Sequence, residues 1–152
     1  MADVTTRAGK YITFQLSRQY FAIASDRVRQ ILPANDIQPA NAAVSCLCGA
    51  IAANGRLIPV LDVRRKLGLS ARPAPKTACV LVLEIDRGGP VKTVGVIADK
   101  LSEVVDYRTS EIHGTTVQQR VEGRPYGRPK TLLAPEHLLD PDEWLALKSV
   151  VL

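Results

Sequence analysis

The residue types in this chain that could do chemistry are its three cysteines and two histidines. Cys46 and Cys48 are separated by one residue, a spacing that could indicate metal or redox chemistry. A zinc site needs a second pair of ligands, and His113 and His137 are far from the cysteines in sequence. We therefore predict that the cysteines, including Cys79, are small buried apolar residues and that the chain binds no metal.

The acidic residues near the C-terminus could be taken for a catalytic cluster, but helix capping accounts for them. Asp140 is a natural N-cap, Pro141 suits the first helical position, and Glu143 completes a capping box beside Asp142. The sequence contains no G-x-S-x-G, Walker, H-E-x-x-H or G-x-G-x-x-G motif. We expect no catalytic residues and no cofactor, and we expect the function to lie in a binding surface.

Composition indicates a globular chain with a mild positive charge. Its 152 residues correspond to one domain, or to one domain made of two small lobes, and 46% of them are hydrophobic. The net charge of +5 is spread among interspersed acids, which is typical of a solvated surface. No apolar run approaches the ~18 residues of a membrane span. The N-terminus lacks the apolar centre of a signal peptide, so we expect a cytoplasmic protein.

One stretch near the middle of the chain predicts a hairpin followed by a helical turn. Asn54 and Gly55 lie between two apolar runs and both tolerate positive φ, which is a strong hairpin signal. Pro59 cannot donate to a ladder, so we expect the return strand to start there or to lie at a sheet edge. Asp62 can cap the following turn, which Gly68 can end.

Short apolar segments separated by turn residues predict an all-β fold. Segments of strand length cover residues 10–16, 20–24, 27–32, 44–53, 77–86 and 91–98, and a helical turn is an open alternative for residues 27–32. Prolines make residues 70–76 an extended linker. Strands on both sides of this linker favour two small barrels, with short helical turns such as residues 109–112.

These boundaries predict the organisation of the whole chain. We expect a disordered tail at residues 1–10 and a single domain at residues 11–140. Its first lobe would lie mainly at 17–70 and its second mainly at 75–140, and the first strand can join either. A short C-terminal helix, from Pro141 to about Lys148, would place Trp144 and Leu147 on a buried face.

Residues 113–131 are predicted to form a long loop, because they are rich in Gly and Pro. Arg120, Arg124 and Arg128 lie among them, and Tyr126 could stack on a base. Such a loop could follow phosphates, which leaves a small basic β-barrel that binds nucleic acid as a less favoured alternative. A solvated hairpin loop explains the same composition.

Three blocks of the sequence contain a recognisable order of residues. They are Tyr20–Ile23 with Val28, Gln30, Ile31 and Leu32; Gly49–Ile51 with Asn54, Gly55 and Ile58–Arg64; and Val94–Asp99 with Glu103, Val104 and Ile112. Together they resemble the CheW-like domain of bacterial chemosensory systems, with the match running from Tyr11 to Leu139. Each block alone would be weak.

The resemblance implies a fold, a function and a set of contact residues. The fold would be two SH3-like five-stranded β-barrels that share a core. The function would be that of a non-catalytic adaptor that couples methyl-accepting chemotaxis receptors to the regulatory domain of a CheA-type histidine kinase, in receptor arrays at the inner face of the membrane. The implied receptor groove consists of Val28, Gln30, Ile31, Asn54, Ala78 and Leu101. The implied kinase interface consists of Ile37, Val44 and Leu47.

Two groove positions depart from the family pattern. The family usually has glutamate at the place of Gln30 and arginine at the place of Asn54, and these form an ion pair beside the groove. Because both charges are absent together, neither residue is left as a charge without a counter-ion. Two amides can still form a hydrogen bond, without the cost of desolvating an ion pair. A second interpretation is therefore an adaptor of a non-motility signalling array with altered receptor specificity.

Overall fold

The chain folds into two β-sheets connected by short turns. The computed structural model describes residues 8–38, 46–64, 66–69, 75–86 and 91–143. The strands are β1 (Gly9–Leu16), β2 (Gln19–Ala24), β3 (Val28–Pro33), β4 (Leu47–Ala53), β5 (Arg56–Leu61), β6 (Cys79–Ile85), β7 (Lys92–Ala98), β8 (Lys100–Tyr107), β9 (Ile112–His113), β10 (Thr116–Val121) and β11 (Arg124–Leu132). Single 3₁₀ turns lie at Ser25–Arg27, Ala34–Asp36, Thr109–Glu111 and Pro135–His137. The predicted all-β class is confirmed.

The two sheets are interleaved along the chain. The first sheet has the strand order β8-β1-β2-β11-β10-β9, and the second has the order β3-β6-β7-β5-β4. From here on, the first lobe is the one built on the first sheet and the second lobe the one built on the second sheet, so the names no longer refer to residues 17–70 and 75–140. This grouping differs from the expected division at residues 70–75, because β6 pairs with β3 and β7 pairs with β5. The first lobe has six strands rather than five, since the two-residue strand β9 pairs with β10.

Three apolar clusters show how the lobes are filled. The first lobe encloses Tyr11, Ala22, Val105, Tyr107, Ile112, Val117 and Leu132. The second lobe encloses Ile51, Ala53, Ile58, Val60, Val80, Val82 and Ile97. A central cluster combines residues of both sheets, among them the fully buried Phe14, Ile23, Leu81 and Val96. The expected shared core is therefore confirmed.

The hairpin of β4 and β5 forms as the sequence predicts. Asn54 and Gly55 have φ values of 53° and 76° and make the two-residue turn. The expectation for Pro59 is wrong, because β5 begins at Arg56 and lies inside the sheet. A proline fits there because β5 pairs with β7 only at Val60 and Leu61, so Pro59 leaves no ladder donor missing on that side.

Residues 113–131 form paired strands, and the prediction of a long loop is wrong. Strands β10 and β11 make an antiparallel hairpin whose turn is Glu122-Gly123, with φ values of 53° and 76°. The prolines at 125 and 129 fit because β11 borders β2 only at its last two residues, Thr131 and Leu132. A Gly/Pro-rich composition therefore marks tight turns and an open strand edge here.

The predicted capping box near the C-terminus is present. Asp140 Oδ1 accepts the Glu143 N–H at 2.8 Å, and Glu143 Oε1 accepts the Asp140 N–H at 3.0 Å. Residues 141–143 are helical. The predicted continuation to Lys148, with Trp144 and Leu147, lies outside the described residues.

Candidate functional site

The cysteines do not form a reactive group. Cys46 and Cys79 are buried, as predicted, whereas Cys48 is exposed because it points outward in the alternation of β4. Its thiol donates a hydrogen bond to the Val60 carbonyl at 3.3 Å. Desolvation, with the charge of Asp62, raises the pKa of Cys48 to about 11, so the thiol is protonated at neutral pH. Across the described part of the chain, no three metal-ligating side chains come together.

A buried arginine joins the two lobes. Arg64, which follows β5, is 6% exposed. Its Nε donates to Asp62 Oδ1 at 2.9 Å and its Nη2 donates to Asp62 Oδ2 at 2.6 Å. Its Nη1 lies 3.8 Å from Oδ1 of Asp99, the residue between β7 and β8 where the chain crosses from the second lobe to the first. Oδ2 of Asp99 accepts the Ser17 N–H of the β1–β2 turn at 2.8 Å, so these contacts link both sheets.

Gln30 and Asn54 line one cavity, which lies between β3 and the β4–β5 turn. Its volume is about 350 Å³. Gln30 reaches it from β3, where it pairs with Val82 of β6, and Asn54 reaches it from the exposed turn. Between these two described side chains the structure shows no hydrogen bond. Both side-chain amides line the cavity, where they can donate and accept hydrogen bonds with a ligand.

The same cavity has apolar walls and a basic rim. Its other described lining residues are Ala53, Arg56, Leu57, Ile58, Pro59, Val82, Val91, Lys92, Thr93 and Val94. Leu57 and Val91 are 45% and 50% exposed, which is high for aliphatic side chains. Arg56 and Lys92 are the charged residues among the described lining. The cavity thus combines apolar contacts, amides and positive charge.

The other four predicted groove residues lie outside this cavity. Val28 and Leu101 are half-buried and pack against the central cluster. Ala78 is 8% exposed, and its carbonyl accepts the Ala34 N–H at 3.4 Å. Ile31 is 43% exposed on β3, an edge strand of the second lobe. Of these four, Ile31 is the one that presents a large exposed apolar surface.

The comparisons with known proteins identify the family. The model of the CheW-like domain matches residues 10–143. The chain belongs to the CheW-like domain family. The crystal structure of the scaffolding protein TtCheW from Thermoanaerobacter tengcongensis matches this CheW-like fold with a TM-score of 0.70. That match covers 90% of this chain and 91% of the other at 17% identity, and a comparison with curated proteins gave no match.

Membership of the CheW-like family fixes the class of function. CheW-like domains are non-catalytic, and the family match over residues 10–143 therefore agrees with the expectation that this chain is not an enzyme. Among the described residues, no helix is long and apolar enough to cross a bilayer.

The two described residues predicted for the kinase side, Ile37 and Leu47, differ in their burial. Ile37 is half-buried and packs against the cluster inside the second lobe. Leu47 is 6% exposed and belongs to the central cluster. Val44 lies outside the described residues. The sequence analysis did not identify Arg56, Leu57, Val91 and Lys92 as lining residues, because they meet through a pairing of strands that are distant in sequence.

Proposed function

We propose that this CheW-like scaffold couples methyl-accepting chemotaxis receptors to a CheA-type histidine kinase. The observation that carries the proposal is the family match over residues 10–143, which spans both lobes. Such a scaffold would work in the cytoplasm, within receptor arrays at the inner face of the membrane. Its partners would be the cytoplasmic tip of the receptor and the regulatory domain of the kinase.

The exposed Ile31 of the second lobe supports the receptor contact. Ile31 on the edge strand β3 is 43% exposed, and Val28 and Leu101 lie half-buried against the central cluster. A helical receptor tip that covers Ile31 would remove apolar surface from water, which is how an amphipathic helix gains affinity in a groove. We assign Val28, Ile31, Ala78 and Leu101 to this contact, with Gln30 and Asn54 at its side.

The kinase contact is proposed for the surface of the second lobe near Ile37. A barrel of the kinase regulatory domain could pack there, with Val44 close by in sequence. Leu47 is buried, so its contribution would be to support this surface from inside.

Sedimentation of a ternary mixture tests the proposal. The protein is mixed with the regulatory domain of a CheA-type kinase and a receptor cytoplasmic fragment, and we expect all three in the pellet. Ile31→Glu should weaken receptor binding, because it puts a charge on the buried face of the contact. Val104→Glu is the matched control, since Val104 is 62% exposed on β8 of the first lobe. Absence of binding to both partners would contradict the proposal.

The amide pair favours a second candidate, an adaptor of a non-motility signalling array with altered receptor specificity. Gln30 and Asn54 line one cavity without the ion pair that is usual in the family. The double variant Gln30→Glu with Asn54→Arg should then bind a standard chemotaxis receptor more tightly than the wild type. Equal affinities, measured on the same receptor fragment, would remove this reason for assigning altered specificity.

A further inference from the structure

We infer that the cavity between β3 and the β4–β5 turn recognises a carboxylate side chain carried on an amphipathic helix. The inference rests on the proposed function only for the identity of that helix, which would belong to the receptor-side partner. It concerns the chemistry of the residue that enters the cavity, which the family resemblance does not specify.

Charge favours an acidic occupant. Arg56 begins β5 at the cavity rim, and its guanidinium can pair with a carboxylate in a planar, bidentate arrangement. Lys92 at the start of β7 lines the same rim but has an interaction partner within the protein, so the selection of the occupant depends on Arg56. A partner residue with a positive charge would meet repulsion here, so charge complementarity selects an aspartate or a glutamate.

Because Gln30 and Asn54 are uncharged amides, neither of them repels a carboxylate that enters the cavity. Gln30 carries no charge, so a carboxylate that approaches it meets no like-charge repulsion. The side-chain NH₂ groups of Gln30 and Asn54 face the same cavity and can both donate to a carboxylate oxygen. Glu84 of β6 lies opposite Thr93, which lines the cavity. Its carboxylate forms an ion pair with Arg29, which offsets its negative charge.

The walls of the cavity suit a helix rather than a free acid. Leu57 and Val91 are half exposed at the cavity, and Ala53, Ile58 and Val94 continue the apolar lining. Apolar residues on one face of a helix could cover this surface while an acidic residue one turn away reaches Arg56. A small carboxylate such as acetate would leave the apolar surface exposed and would bind far more weakly.

Nuclear magnetic resonance with designed peptides tests the inference without a receptor. The probe is a synthetic helical peptide of about 20 residues with a leucine face and one central glutamate, and the matched peptide has glutamine there. We expect the glutamate peptide to shift the side-chain amide signals of Gln30 and Asn54 and to bind about fivefold more tightly than the glutamine peptide, the effect of one partly exposed ion pair. Arg56→Gln should abolish this preference, and Arg124→Gln, at an exposed arginine of β11, should keep it.

The outcomes separate this inference from the proposed function. Equal binding of the two peptides, or signal shifts confined to other parts of the surface, would overturn the inference. In that case we still expect the protein to sediment with the receptor and the kinase, because sedimentation does not depend on which side chain enters the cavity. Failure of sedimentation together with a preference of the wild-type protein for the glutamate peptide would overturn the proposed partner and keep the carboxylate site.

Discussion

Replacing Glu111 with glutamine should destabilise the first lobe in a pH-dependent way. Glu111 is 3% exposed, and its carboxylate accepts the backbone N–H groups of Arg108 at 2.8 Å and Arg120 at 2.6 Å. The guanidinium of Arg108 lies 3.3 Å from the same carboxylate. Burial alone would raise the pKa of Glu111, but these hydrogen bonds outweigh burial and lower it from 4.5 to about 2.

The lowered pKa sets both the size and the pH range of the effect. A carboxylate with a depressed pKa in the folded state stabilises the protein above its unfolded pKa of 4.5, and this contribution is lost as the pH falls through about 2. At about 1.4 kcal/mol per pKa unit, the contribution is about 3 kcal/mol at pH 7. The same relation leaves about 1.4 kcal/mol at pH 3.

Urea unfolding of the wild type and Glu111→Gln, at pH 7, 5 and 3, measures this difference. We expect a loss of about 3 kcal/mol at pH 7 and pH 5 that shrinks by roughly half at pH 3. Glu122→Gln, in the exposed β10–β11 turn, is the matched control and should change stability by less than about 0.5 kcal/mol. A loss that is the same at pH 7 and pH 3, or a loss under about 1 kcal/mol at pH 7, would refute the reasoning.

Three further substitutions test the packing of the two lobes. Arg64→Met should lower the free energy of unfolding in urea by about 3 kcal/mol, because Asp62 and Asp99 lose the guanidinium between them. Adding Asp62→Asn to this variant should recover part of the loss. If the losses of the two single variants simply add in the double variant, the coupling between Arg64 and Asp62 is contradicted. Gly95→Ala should lower the melting temperature, since a Cβ there would lie 2.6 Å from Val80 Cγ1; an unchanged melting temperature would show that Val80 moves freely. Leu81→Ala, at a fully buried site of the central cluster, should cost about 2–5 kcal/mol, and a loss below about 1 kcal/mol would argue against a shared core.

The parts of the fold that depend on neighbours in sequence could be predicted. Asn54-Gly55 forms its turn because positive φ is a property of those two residues, and the Asp140 capping box depends on residues only three positions apart. The β10–β11 hairpin escaped prediction because its Gly and Pro residues were counted as loop formers. Prolines are tolerated in β11 because β2 pairs only with its last two residues, so that most of this edge of β11 needs no backbone donors. Strand β2 lies about 100 positions away in sequence, so this pairing could not be predicted from local composition.

The candidate site was predictable only in part for the same reason. Gln30 and Asn54 were placed together by resemblance to the family, and the structure brings both to one cavity. Arg56 and Lys92 reach that cavity because β7 runs parallel to β5, with Val60 opposite Gly95. A parallel pairing of distant strands has no local signature in sequence, so the basic rim could not be read from residue patterns.

Receptor control of kinase activity is the most direct measurement of the scaffold function. A CheA-type kinase and a receptor fragment are incubated with ATP, with and without this protein, and phosphate incorporation into the kinase is followed over time. We expect the receptor to change the rate only when the protein is present, with Val104→Glu as active as the wild type and Ile31→Glu much less active. The same rate with and without the wild-type protein, in a mixture whose kinase and receptor respond to their own coupling protein, would contradict the account.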